Sequence, residues 1–243
     1  MQIDALALRL RPRTPIEAAD LGVRLCQSTA RSIYVCYGLV ALPIVTLALA
    51  TFEIAGWLPC VLLWCAKPWL DRTVLFVLSR AAFGQPTTPA DVWRAQRQVW
   101  WRQLLFTWTV RRLSMWRSLT QPVYQLEGFS ILKASARVRQ IRRGQMSAGM
   151  LTMSAFSIAE TALVAALVSL VFWFAPQGST PTMTAILSGE PGFLSWAIPV
   201  AQAIAVVFLE PFYVAAGFAM YLNRRVELEA WDIEQEFRRA FAA

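Results

Sequence analysis

Two glutamates stand inside the longest apolar stretches of this chain, Glu160 within 150–174 and Glu210 within 193–221, and no other charged residue shares either stretch. Each stretch exceeds the roughly 20 residues that a helix needs to cross a hydrocarbon core. A carboxylate at the centre of such a helix costs roughly 2.5 to 3.5 kcal/mol on insertion scales, so it is normally paired, protonated or turned towards water. A fold for this sequence must therefore place two long helices in a membrane and give each glutamate a neighbour.

Composition points the same way. Hydrophobic residues fill 57% of the 243 positions, against about 45 to 50% in soluble domains. The expected class is an all-α polytopic membrane bundle of about four transmembrane helices with amphipathic interfacial helices. Asp4, Arg9, Arg11 and Arg13 interrupt the first fifteen residues, so no cleaved leader is expected. Cys26, Cys36, Cys60 and Cys65 occur without any histidine; that leaves no zinc-type ligand set and suggests reduced packing cysteines with no cofactor. The net charge of +8 does not call for nucleic acid, because the arginines flank apolar stretches as the positive-inside rule requires.

Thr14-Pro15-Ile16-Glu17 is a capping box with proline at the first helical position, and opens a short interfacial helix over 14–31 that carries Ile16, Leu21 and Leu25. Residues 32–52 hold no charge and form the first span. A second, 54–83, is interrupted around Lys67, Pro68 and Asp71 and ends at Gly84. It reads as one helix kinked at Pro68 or as two half-helices, since 54–66 alone reaches only about 20 Å.

Thr88-Pro89-Ala90-Asp91 repeats the start signal and opens 88–118, where Trp93, Arg94, Arg97, Trp100, Trp101, Arg102, Trp108, Arg111 and Arg112 interleave. A mixed Arg/Trp helix suits the headgroup plane, with rings at the acyl boundary and guanidinium groups towards anionic lipid headgroups; alternatively 98–110 dips inward as a re-entrant segment. A further basic helix covers 122–143. Spans over 147–174 and 193–222 follow, then a cytoplasmic amphipathic helix over 223–241, whose Val226, Trp231, Ile233 and Phe237 are candidates for contact with a protein partner.

Residues 85–146 hold eleven of the 23 basic side chains, whereas 175–192 and the turn at Glu53 hold none. Those two loops are expected to face outwards, with both termini in the cytoplasm. On that topology Glu160, Glu210 and Lys67 all lie roughly 16 to 20 Å from the cytoplasmic side at about 1.5 Å per residue. Lys67, Asp71, Glu160 and Glu210 form the candidate intramembrane charge cluster, with Lys67 and Asp71, four apart, as a self-satisfying pair.

Besides lipid-headgroup binding, the cluster has two readings. One is interhelical glue, with Ala155, Ala159, Ala162 and Ala166 allowing close approach and Ser157 or Thr161 adding hydrogen bonds. The other is an ion or proton route, supported by Pro211, which frees a backbone carbonyl beside Glu210. Catalysis is not expected: histidine, a Gly-rich phosphate loop and a nucleophile elbow are all missing from the sequence. The expected role is an accessory or scaffold subunit of an inner-membrane complex, the alternative a small proton- or ion-coupled transporter or channel.

The stretch Tyr221-Leu222-Asn223-Arg224-Arg225-Val226-Glu227-Leu228-Glu229-Ala230-Trp231-Asp232-Ile233-Glu234 resembles the end of the membrane domain found beside bacterial glycerophosphodiester phosphodiesterases, and Leu10-Arg11-Pro12-Arg13-Thr14-Pro15-Ile16-Glu17 is similar to its opening helix. Lys67-Pro68, Ser79-Arg80-Ala81-Ala82-Phe83-Gly84, Gln125-Leu126-Glu127-Gly128 and Glu210-Pro211-Phe212-Tyr213 resemble proteobacterial inner-membrane proteins. The resemblance implies a membrane scaffold without a phosphodiesterase domain in this sequence, and AAA+ ATPases or transglutaminase-like membrane proteins as partners.

Overall fold

The computed structural model describes residues 13–101, 107, 114–128, 131–174 and 193–229, and every regular element among them is helical. Among the described residues eight α-helices follow one another: α1 (Pro15–Ser28), α2 (Ala30–Ala50), α3 (Leu58–Ala81), α4 (Pro89–Arg94), α5 (Arg117–Leu126), α6 (Ile131–Arg142), α7 (Met146–Phe174) and α8 (Ala197–Glu229). The Thr14 capping box forms: the Thr14 N–H donates to the Glu17 carboxylate at 3.2 Å and the Glu17 N–H to the Thr14 hydroxyl at 3.4 Å. Among the described residues three helices are long and apolar enough to cross a membrane, Ala30–Glu53, Met146–Phe174 and Ala197–Glu229. At 24 residues α3 has the length, but Lys67, Asp71, Arg72 and Arg80 lower its hydropathy.

The axis of the bundle is α8, with α1, α3, α5 and α7 packed around it. Two glycines permit the closest approaches. A Cβ on Gly22 of α1 would lie 2.2 Å from the Ala215 carbonyl oxygen of α8, and one on Gly217 of α8 would lie 2.2 Å from the Ser118 Cβ of α5. Successive positions of α8 thus seat a different helix on each side. The face α1 buries is Ala18, Gly22, Leu25 and Cys26, while Ile16 is exposed. The small Ala18 and Gly22, with Leu25 and Cys26 beside them, fit it against α8.

The helix expected over 88–118 is not continuous, because α4 ends at Arg94 and a wide π-type turn occupies Arg97–Trp101. Nor is 122–143 one helix. It divides into α5 and α6 at Gly128, whose φ of 70° is left-handed, and Pro122 lies inside α5 instead of opening a helix. The helix expected over 54–83 is present as α3, continuous through Pro68, which favours one helix over two halves.

Candidate functional site

Five charged residues inside the bundle join into a chain across four helices. Lys67 Nζ of α3 lies 2.5 Å from Glu160 Oε2 of α7 and 3.2 Å from Glu210 Oε2 of α8. Arg117 of α5 then places Nη2 2.5 Å from Glu210 Oε1 and Nε 3.0 Å from Asp71 Oδ2 of α3. At the other end, Gln202 Nε2 of α8 donates to Glu160 Oε1 at 2.6 Å. The order Asp71, Arg117, Glu210, Lys67, Glu160 alternates in sign along its whole length. Each cation therefore touches two carboxylates, which is what a low-dielectric site demands of charges it holds.

Local structure explains how these groups meet. Lys67 and Asp71 are one helical turn apart on the buried face of α3, and Gln202 and Glu210 are about two turns apart on α8. Arg117, Gln121 and Gln125 recur every fourth residue on α5. Gln121 donates to the Pro68 carbonyl at 3.3 Å and Gln125 to the Arg72 carbonyl at 2.8 Å, so the two amides dock α5 along α3 and bring Arg117 to Asp71. The Arg117 guanidinium also stands 5.4 Å from the centre of the Tyr213 ring.

Lys67, Glu160 and Glu210 are thus brought together, whereas no ion pair joins Lys67 to Asp71: the lysine turns to the two glutamates and the aspartate to Arg117. Arg117, Gln202 and the glutamines of α5 are the members that the sequence reading missed. Their signal was the polar stripe at four-residue spacing in α5 and the two-turn offset of Gln202 from Glu210.

Between α3 and α7 the bundle opens into a cleft of about 450 Å³. Its walls include Trp64, Met153, Phe156 and Leu209, and its floor is the Lys67, Arg117, Glu160 and Glu210 cluster. The cleft exists because α7 leans on α8 and hardly on the rest. Only Gly149 among the residues of α7 is buried, while Ile158 is 69% and Trp173 88% exposed. Ala155, Ala159, Ala162 and Ala166 are exposed as well, so they pack no described helix, and the Thr161 hydroxyl donates to Ser157 O within its own helix at 2.9 Å.

The expected lipid-interface residues divide. Trp93, Arg94, Arg97 and Trp101 are exposed, but Trp100 is not. Its ring lies 5.6 Å from Trp69 and its indole N–H donates to the Thr73 hydroxyl at 3.0 Å, because a tryptophan with a buried partner for its N–H is more stable inside than at the boundary. Arg102, Trp108, Arg111 and Arg112 lie outside the described residues, as do Trp231, Ile233 and Phe237. Val226, proposed to face a partner, is buried in the bundle's own core at 1% exposure. Nearby, Arg137 meets Glu127 at 3.2 Å and also Glu229, while Tyr221 donates to Glu127 at 2.6 Å, closing the end of α8 onto the α5–α6 turn. No disulfide joins any two of the four cysteines.

No family model, curated protein or solved structure matches this chain. What the site can do follows from its chemistry alone. It holds four helices together by alternating charge, and through the cleft it offers carboxylates and an ammonium group to whatever enters between α3 and α7. Among the described residues no group of three side chains is placed to bind a metal ion.

Proposed function

We propose that this protein is a non-enzymatic accessory or scaffold subunit of a bacterial inner-membrane complex, with α2, α3, α7 and α8 as four spans and both termini in the cytoplasm. The observation that carries this reading is α7, an apolar helix of 29 residues with a single buried position. It is pinned at its middle by Glu160 and turns small residues outwards at Ala155, Ala159, Ala162 and Ala166. Small residues of this kind let a second transmembrane helix approach closely, and lipid tails gain nothing from them. The paired state of every charge in the cluster supports a lock more than a conduit. The exposed Arg94 and Arg97 add attraction to anionic lipid headgroups on the cytoplasmic side. The resemblance of both chain ends to a phosphodiesterase-associated membrane domain supports a service role, with AAA+ ATPase or transglutaminase-like membrane proteins as partners.

The test is the size of the assembly extracted from native membranes. Ala159→Leu and Ala166→Leu should reduce it while leaving the helical content and melting temperature of the purified chain unchanged. A chain that migrates as a monomer in both forms defeats the proposal. Labelling Glu53→Cys from outside and Arg143→Cys only after permeabilisation checks the orientation.

The cleft supports a second reading, a small proton- or ion-coupled transporter, because it brings Glu160 and Glu210 to its floor. Glu160→Gln and Glu210→Gln separate the two. Abolished proton-coupled flux in liposomes with an intact assembly favours the transporter; a lost assembly with no flux in the wild type favours the scaffold.

A further inference from the structure

We infer that the groove between α2 and α4 is a binding site for one anionic phospholipid, with an acyl chain along α2 and the headgroup phosphate on Arg94. The inference rests on the membrane placement of α2 and is independent of the scaffold reading.

The groove measures about 620 Å³ and is far more apolar than polar in its lining. One wall is the α2 face formed by Leu39, Pro43 and Ile44, and the floor is the Trp69 and Trp100 pair. From Cys36 to Ile44 this wall runs about 12 Å along the span at 1.5 Å per residue, a depth that only the hydrocarbon part of a lipid occupies favourably. A free phosphate or a soluble anion gains nothing from such a wall.

The mouth is fixed at the membrane surface by hydrogen bonds at the start of α2. Ser32 Oγ donates to the Thr87 carbonyl at 2.8 Å and Cys36 Sγ approaches the same oxygen at 3.8 Å, which hangs α4 beside the first two turns of the span. There Trp93 and Arg94 rim the groove, the arginine side chain 81% exposed. The acid beside Arg94 is Asp91. Its Oδ2 already accepts the Thr88 N–H at 3.0 Å and the Thr88 hydroxyl at 2.8 Å; Arg80 approaches that oxygen at 4.0 Å, and Arg94 approaches Oδ1 at 3.9 Å. Two guanidinium groups around one carboxylate leave the mouth positive. An apolar trough with a cation at its interfacial end complements a phospholipid with net negative charge, and an indole at the rim suits the acyl boundary.

The experiment is native mass spectrometry of the chain released from nanodiscs of equal phosphatidylglycerol and phosphatidylethanolamine. The wild type should retain one phosphatidylglycerol per chain. Arg94→Gln should lower the glycerol-to-ethanolamine ratio of the adduct about fivefold, the loss of one near-surface cation. Leu39→Trp, which fills the groove from α2, should remove the adduct. Ala90→Trp fills it from α4 and serves if the first variant fails to melt cooperatively. A wild type that carries no adduct, or carries both lipids equally, overturns the inference. So does an Arg94→Gln ratio equal to that of the wild type, or an adduct that survives in a folded groove-filling variant.

Discussion

Arg117 Nη2 lies 2.5 Å from Glu210 Oε1, and the same guanidinium holds Asp71 on a different helix at 3.0 Å. Asp71 is fully buried and Glu210 is 4% exposed, so water does little to screen either carboxylate. One planar cation with several donors reaches both acids at once, on two different helices. The short α5 helix thereby becomes part of the bundle, although neither its length nor its composition suits a span.

Arg117→Met removes that cation and leaves two buried carboxylates facing one another. Breaking a buried pair by deleting one partner costs about 3 to 5 kcal/mol, so the purified chain should melt lower by roughly 10 °C for a protein of this size. Arg117→Lys should recover part of the loss. A shift of only a degree or two in Arg117→Met would show that the charge chain does not hold α5.

Counting residues from the ends of apolar stretches was enough to bring Lys67, Glu160 and Glu210 to one layer, because depth in a membrane helix is linear in sequence. Arg117 escaped that count. It sits in a basic, tryptophan-rich region whose composition reads as surface, and its burial depends on α5 docking through Gln121 and Gln125. The seating of α1 was hidden for another reason: Gly22 and Ala18 carry almost no hydrophobic signal, yet their small size is what lets the backbone of α8 approach. The break at Gly128 was open to inspection, since glycine beside Glu127 is a usual helix end, but the basic run beyond it suggested continuity.

Gly22→Ala should destabilise the bundle by about 1 to 3 kcal/mol, the usual range for overpacking, because the new methyl meets the Ala215 backbone at 2.2 Å and neither element can yield cheaply. Gly38→Ala is the matched control, having nothing within 4 Å of its added Cβ. It should be neutral or slightly stabilising through helix propensity alone. Equal melting temperatures for the two variants would contradict the close seating of α1 on α8.

Burial pushes the Cys26 thiol on α1 up to about 12. Its thiolate fraction at pH 8 is then roughly a thousandfold below that of an ordinary cysteine. Maleimide at pH 8 should leave Cys26 unmodified in the folded chain and label it after denaturation, with peptide mapping as the readout. Rapid labelling of Cys26 in the folded state would mean that α1 separates from α8 readily.

The α4 start supplies a pH test. The Thr88 backbone N–H and hydroxyl hold the half-buried Asp91 carboxylate below its usual value, Thr88 coming before Arg80 and Arg94 as the cause. A depressed carboxylate stabilises the folded form fully above its unfolded value, about 3.9, and loses that contribution only as pH falls through the lower folded value. Hydrogen exchange across 88–95, corrected for the intrinsic pH dependence of exchange, should therefore show equal protection at pH 7 and pH 5, and a loss only in stronger acid. Asp91→Asn should weaken protection at pH 7 and remove the acid step, because the amide keeps an acceptor but not the charge that the helix N-terminus and the two arginines favour. Protection that decays between pH 7 and pH 5 in the wild type would assign the capping of α4 to some other group.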